Sequence, residues 1–111
     1  MDQRLKEEII ILHAQVCKGL ADPNRILILY TLNIAPYAVS DLAEALELPQ
    51  PTVSRHLKVL RERGMVAADR DGQSIVYSLK DHRIIDALDI LRAFMADNLT
   101  SQAEIVSAAY Q

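Results

Sequence analysis

The sequence predicts a mainly α-helical fold with a β-hairpin wing, arranged as a winged helix-turn-helix. Three observations predict it. Two short helical patterns meet at Pro49-Gln50-Pro51, an Asp71-Gly72 pair separates two strand-like segments, and amphipathic patterns flank this unit on both sides. With 111 residues, half of them hydrophobic, the chain is predicted to form one domain, residues 1–111, with its own core.

Two helices are predicted in the first third of the chain. Over residues 4–20 a single apolar stripe has helical spacing; it comprises Leu5, Ile9, Leu12, Val16 and Leu20. Asp22-Pro23 then predicts a helix start, because Asp caps free backbone N–H groups and Pro suits the first helical position. Residues 25–32 are apolar on nearly every side, which indicates a buried central helix.

The helix-turn-helix is predicted at residues 40–63. Ser40 is expected to cap a helix over residues 41–48, with Leu42, Ala45 and Leu46 facing inward. A second helix is expected from Pro51 to Arg63, ending before Gly64. On a helical wheel the core-facing residues of this second helix are Val53, Leu57 and Leu60. Two such helices alone would also fit an ordinary helical hairpin, and the hairpin of strands that follows favours the winged fold.

The wing is predicted at residues 65–79, with its turn at residues 70–73. Asp81 is expected to cap a long last helix, and the pattern Ser101-Gln102-Ala103-Glu104 fits a capping box that would start a short further helix. The apolar stripes of residues 1–20 and 81–111 are too broad for one small domain to bury. They therefore predict a homodimer formed through the first and last helices.

The charge of the chain is unevenly distributed. The total is −3, which by itself disfavours a nucleic-acid partner, but residues 52–63 carry four basic side chains and one acidic one. The two flanking segments, residues 1–51 and 64–111, are each net acidic. Because DNA phosphates respond to charges within a screening length of about 8–10 Å, the local basic segment matters more than the total.

We predict that this basic segment contacts double-stranded DNA. In a helix-turn-helix the N-terminal residues of the second helix meet base edges, while nearby cations meet phosphates. The predicted DNA-binding residues are Ser40, Gln50, Thr52, Ser54, Arg55, His56, Lys58, Arg61 and Arg70; Arg63 also suits a phosphate contact. For His56, packing on the flank of the helix is an equal alternative.

Several segments together resemble the ArsR/SmtB family. They are Gly19 to Leu29, Val39 to Leu46, Gln50 to Leu60, and the wing from Gly64 to Leu79. The resemblance implies a homodimeric winged-helix repressor that binds an inverted-repeat operator and is released by a signal. One departure is Pro49, where the family often has Ser, so the cap of the second helix is expected at Gln50.

The metal-ligand sets of this family are missing from the corresponding segments. Residues 38–42 read Ala-Val-Ser-Asp-Leu without the two thiols, and Arg83 and Phe94 stand where the last helix of the family carries histidines. We therefore expect no metal and no cofactor. The single thiol, Cys17, is interpreted either as a packed apolar residue or as a redox or thiol sensor between subunits.

The predicted function is transcriptional repression by a homodimer whose signal does not act at the usual metal positions. A winged-helix protein-interaction module without specific DNA binding is the alternative. Enzymes are disfavoured because the sequence offers no Gly-rich phosphate loop and no nucleophile–base set. A charged N-terminus, the lack of a membrane-spanning run and a single cysteine predict a cytoplasmic protein without a membrane partner.

Overall fold

The computed structural model describes residues 1–109, and its contacts divide into two compact units, Met1–Asp81 and a unit that begins at His82. The elements, in chain order, are α1 (Gln3–Leu12), a π-helical turn (His13–Cys17), α2 (Pro23–Ile34), β1 (Tyr37–Ala38), α3 (Val39–Leu46), α4 (Gln50–Glu62), β2 (Val66–Asp71), β3 (Ser74–Leu79) and α5 (Arg83–Ala109). The fold is a winged helix-turn-helix, as predicted.

The central helix α2 confirms the sequence prediction. The side chain of Asp22 accepts a hydrogen bond from the backbone N–H of Asn24 at 2.8 Å, and Pro23 occupies the first helical position. Ile28, Leu29 and Leu32 are buried. They form the core of the first unit together with Leu42, Ala43, Val53, Leu57, Leu60, Met65 and Val66.

The first helix is shorter than the predicted span of residues 4–20. Helix α1 ends at Leu12, and the chain widens into a π-helical turn in which the N–H of Lys18 donates to the carbonyl of His13 at 3.0 Å. Gly19, which follows, is buried, and a Cβ there would lie 2.5 Å from Cε of Met65. A bulkier residue at position 19 would therefore require the side chain of Met65 to move.

The helix-turn-helix is present, but both of its predicted caps are wrong. Helix α3 starts at Val39, directly after β1 (Tyr37–Ala38). Its N-cap is Ala38, which makes no side-chain hydrogen bond, and Ser40 lies inside the helix. Helix α4 starts at Gln50, and its N-cap is Pro49. Within α3 the inward residues are Leu42 and Ala43, whereas the predicted Ala45 is exposed.

The turn between α3 and α4 depends on a left-handed residue. Glu47 has φ 55°, its N–H donates to the carbonyl of Glu44 at 3.2 Å, and the N–H of Leu48 donates to Ala43 at 3.0 Å. This pair of hydrogen bonds is a Schellman motif, which satisfies the last carbonyls of α3. The chain is thereby reversed within a few residues and delivered to the start of α4.

The wing is a β-hairpin extended by a third short strand. The strand order is β1-β3-β2, with both pairs antiparallel. Asp71 pairs with Ser74, so the two turn residues are Gly72 and Gln73, one position later than an Asp-Gly turn would place them. Gly72 has φ 64°, which a type II′ turn requires of its first central residue.

The second unit contains one continuous helix. Helix α5 passes through Ser101 without a break, so the predicted separate helix after residue 100 is wrong over the described residues, and residues 110–111 lie outside them. Its exposed apolar residues are Ile90, Leu91, Phe94, Met95 and Leu99. Over residues 1–109, no helix combines the length and hydrophobicity needed to cross a membrane.

Candidate nucleic-acid interface

Helix α4 is fixed to the first unit by one apolar face. Val53, Leu57 and Leu60 have no exposed surface, which confirms the inward arc of the helical wheel. Burying a side chain of this size contributes about 1.5–3 kcal/mol, so the three residues set the rotation of the helix firmly. The opposite face, which includes Ser54, Arg55 and Lys58, is consequently turned to solvent.

The structure leaves most of the predicted DNA-binding residues accessible. The exposed residues are Ser40, Gln50, Ser54, Arg55, Lys58, Arg61 and Arg70. Thr52 is half-buried, and its hydroxyl oxygen accepts a hydrogen bond from Nη2 of Arg55 at 3.4 Å. This contact lies within one turn of α4 and restrains the arginine close to the N-terminal end of the helix. Gln50, Ser54, Arg55, Lys58 and Arg61 of α4 are therefore all open to solvent.

His56 differs from its neighbours on α4, because it faces the start of α2. Its side chain is 14% exposed, its Nε2 lies 4.0 Å from Oδ1 of Asp22, and its Nδ1 lies 3.3 Å from Nη1 of Arg25. An arginine only donates hydrogen bonds, so Nδ1 accepts and the proton of a neutral ring is on Nε2, facing the carboxylate. This arrangement supports the packing interpretation of His56.

Two arginines, Arg25 and Arg63, connect the N-terminal segment to the helix-turn-helix through hydrogen bonds. The sequence did not predict these contacts. Arg25 donates from Nε to the carbonyl of Gly19 at 2.7 Å and from Nη2 to that of Lys18 at 3.1 Å. Arg63, expected at a phosphate, donates from Nη1 to the carbonyls of Ala14 and Gln15. The last carbonyls of a helix have no hydrogen-bond donors within the helix. A predicted helix end could therefore have indicated that an arginine would donate to it.

The wing carries both signs of charge on β2. Arg70 pairs with Ile75 one step before the end of the hairpin, and Asp69 and Asp71 flank it in sequence. Because successive side chains of a strand point to opposite faces, the carboxylates lie on the face opposite the arginine. All three residues are exposed. The excess of basic over acidic side chains in the first unit is therefore found on α4. The wing adds a single cation, Arg70.

Cys17 is exposed at the end of the π-helical turn, so the interpretation as a buried packing residue does not hold within a single chain. Over residues 1–109, no three His, Cys, Asp or Glu side chains approach closely enough to hold a metal ion together.

Comparison with known families places this region in a family of bacterial regulators. Residues 22–68, which include α2, α3 and α4, match the family model described as "Bacterial regulatory protein, arsR family". The match begins at the Asp22 cap and ends within β2, so it covers the candidate interface apart from most of the wing.

Two curated relatives align with a larger part of the chain. The transcriptional regulator NmtR of Mycobacterium tuberculosis is 47% identical over 76 residues, which are 68% of this chain and 63% of NmtR. The chain thus spans less than two thirds of that relative. The biofilm growth-associated repressor of Agrobacterium fabrum is 36% identical over 102 residues, 89% of this chain and 83% of the repressor.

A solved structure shares the fold. The homodimeric winged helix-turn-helix DNA-binding domain of a possible ArsR-family transcriptional regulator from Mycobacterium bovis superposes with a TM-score of 0.75. It is 26% identical in sequence, and the match covers 89% of this chain and 91% of that domain.

Proposed function

Because the chain belongs to the ArsR family of bacterial regulatory proteins, we propose that it is a homodimeric repressor that binds an inverted-repeat operator through α4 and the wing. The relatives reported above are transcriptional regulators and not enzymes. One observation carries the proposal: three fully buried residues of α4 hold its basic face, including Arg55 and Lys58, toward solvent.

The roles of the α4 residues follow from their position along the helix. Gln50, Thr52, Ser54 and Arg55 occupy its first two turns, where a helix lying in the major groove approaches base edges. Arginine and glutamine recognise guanine and adenine through paired hydrogen bonds. Lys58 and Arg61, farther along, are suited to phosphates, which set affinity and register.

The dimer is supported by apolar surface that a single chain leaves exposed. Helix α1 has no buried residue, although Leu5, Ile9 and Leu12 lie on it. Helix α5 exposes Phe94 and Met95, among others. Apolar patches of this kind mark interfaces, and a second copy of the chain would cover both helices. The homodimeric M. bovis domain has the same fold.

The proposed signal acts away from the metal positions of the family. The segment Ala38 to Leu42 contains no thiol, and Arg83 and Phe94 replace the expected imidazoles. Adding zinc, cadmium or nickel ions to the protein–DNA complex is therefore expected to leave the affinity unchanged. Release by a stoichiometric amount of any of these ions would contradict this part of the proposal.

Selection of duplexes from a random-sequence pool tests the function as a whole. A dimer is expected to enrich two inverted half-sites about one helical turn apart, or a multiple of it. Arg55→Gln should reduce the preference for the selected duplex over a mixed-sequence duplex. Arg92→Gln, which removes the same charge from an exposed pair with Asp89 on α5, serves as the control. Enrichment of no sequence would instead favour a protein-interaction module.

A further inference from the structure

A cleft in the first unit lies between the start of α3, the exposed face of α4 and the end of the wing. Its volume is about 390 Å³. Three elements supply polar side chains to its walls: Ser40 comes from α3, Ser54 from α4, and Gln73 with Ser74 from the hairpin. Ser40 and Ser54 are among the DNA-binding residues predicted from the sequence, whereas Gln73 and Ser74 are not.

The cleft offers hydrogen-bond donors without charge. Each of the four side chains carries a hydroxyl or an amide, and none of the described residues lining the cleft is a carboxylate. Over residues 1–109 these four side chains form no hydrogen bond with another protein group. Their donors are therefore available to a ligand that presents oxygen acceptors.

The start of α3 adds a preference for an anion. Ala38, Val39 and Ser40 line the cleft, and the N-cap Ala38 has no side chain that could satisfy the first N–H groups of the helix. These groups and the helix dipole favour a negative charge at this end. Ile75 and Tyr77 complete the wall, and their apolar surface suits the sugar that adjoins a phosphate.

The surroundings of the cleft identify the source of the anion. Ser54 precedes Arg55 directly, and Lys58 follows one helical turn later on the same exposed face. A ligand in the cleft is thus continuous with the surface assigned to DNA. Hydroxyl and amide side chains commonly contact DNA phosphates, together with the N-termini of helices.

We propose that this cleft holds one phosphodiester group of the DNA backbone between Ser40 and Ser54 on one side and Gln73 and Ser74 on the other. The inference rests on the proposed function and deepens it, because it assigns to the wing turn a role that needs no cation. Neutral donors release no counterions, so they contribute to affinity without changing its dependence on salt.

The test compares the wild type with a Gln73→Ala/Ser74→Ala double variant on a duplex selected from a random pool. The double variant should bind about tenfold more weakly, as expected for lost hydrogen bonds to a charged group. The slope of log affinity against log salt concentration should equal that of the wild type. Ser78→Ala, on the same strand but outside the cleft, is the matched control. Thermal unfolding confirms that each variant is folded.

Replacing single phosphates of the duplex by neutral methylphosphonates locates the contact. One position per half-site should weaken the wild type by about tenfold and weaken the double variant clearly less, because Ser40, Ser54 and the start of α3 still face that phosphate there. Equal affinity of the double variant and the wild type would overturn the cleft proposal while leaving the repressor intact. A wild type that binds no duplex would overturn the proposed function, and the cleft proposal with it.

Discussion

The guanidinium of Arg25 lies 3.3 Å from Nδ1 of His56 and also donates to two carbonyls, those of Lys18 and Gly19. One side chain of α2 thus joins the end of the N-terminal helical segment to α4. A planar guanidinium can serve three acceptors at fixed angles, whereas a lysine offers a single ammonium group. The orientation of α4 therefore depends on a residue remote from its exposed face.

Replacing Arg25 by lysine should test this connection. The Arg25→Lys variant keeps the charge but loses the fork, so the free energy of unfolding should fall by about 1–3 kcal/mol. Urea unfolding at one protein concentration measures the change, and Arg92→Lys on the exposed surface of α5 should stay within about 0.5 kcal/mol of the wild type. Equal stability of the two variants would show that the three hydrogen bonds contribute nothing.

His56→Ala separates packing from DNA contact. The side chain is largely covered and bonded to Arg25, so its removal should lower the free energy of unfolding by about 1–3 kcal/mol. At a temperature where the variant is fully folded, its DNA affinity should lie close to that of the wild type. A large loss of affinity with unchanged stability would instead place the imidazole on DNA.

Glu47 occupies a left-handed position that suits glycine better. The Glu47→Gly variant removes the Cβ clash at φ 55° and should raise the free energy of unfolding by about 0.5–1 kcal/mol. Glu44→Gly, within the regular part of α3, should lower it by about 1 kcal/mol. Opposite signs for the two substitutions in urea unfolding are the expected result. Destabilisation by both would contradict the strain at Glu47.

A substitution at Phe94 tests whether α5 contributes to the proposed homodimer. This ring is 69% exposed in a single chain, and a Phe94→Glu variant would place a charge in the proposed contact between copies. Sedimentation equilibrium should show a monomer, with helix content unchanged by circular dichroism. Ser101→Glu adds the same charge to an exposed polar position of α5 and should remain dimeric. A dimeric Phe94→Glu protein would exclude this surface from the interface.

The elements that could be predicted have strong local signals. Asp22-Pro23 starts α2, the periodic positions Val53, Leu57 and Leu60 define the inner face of α4, and a glycine at residue 72 forms the hairpin turn. Each of these features depends on residues adjacent in sequence or one turn apart. Periodicity and turn chemistry therefore suffice for them.

The features that the sequence did not predict depend on distant partners. Strand β1 is two residues long and exists because Tyr37 and Ala38 pair with Tyr77 and Val76, far along the chain. Helix α3 follows this strand directly, so its N-cap is Ala38 and not the predicted Ser40. The contacts of Arg25 and the cleft beside Gln73 likewise require the tertiary arrangement. No local pattern encodes them.

The salt dependence of DNA binding by the wild type and a Lys58→Gln variant tests the central claim most directly. If exposed cations of α4 contact DNA phosphates, the logarithm of the affinity should fall linearly with the logarithm of the salt concentration. The magnitude of this slope should decrease by about one for each phosphate contact that is removed. Lys58→Gln should therefore bind more weakly at low salt and show a shallower slope than the wild type. Identical affinity and slope for the two proteins would contradict the assignment of α4 as the DNA-binding helix.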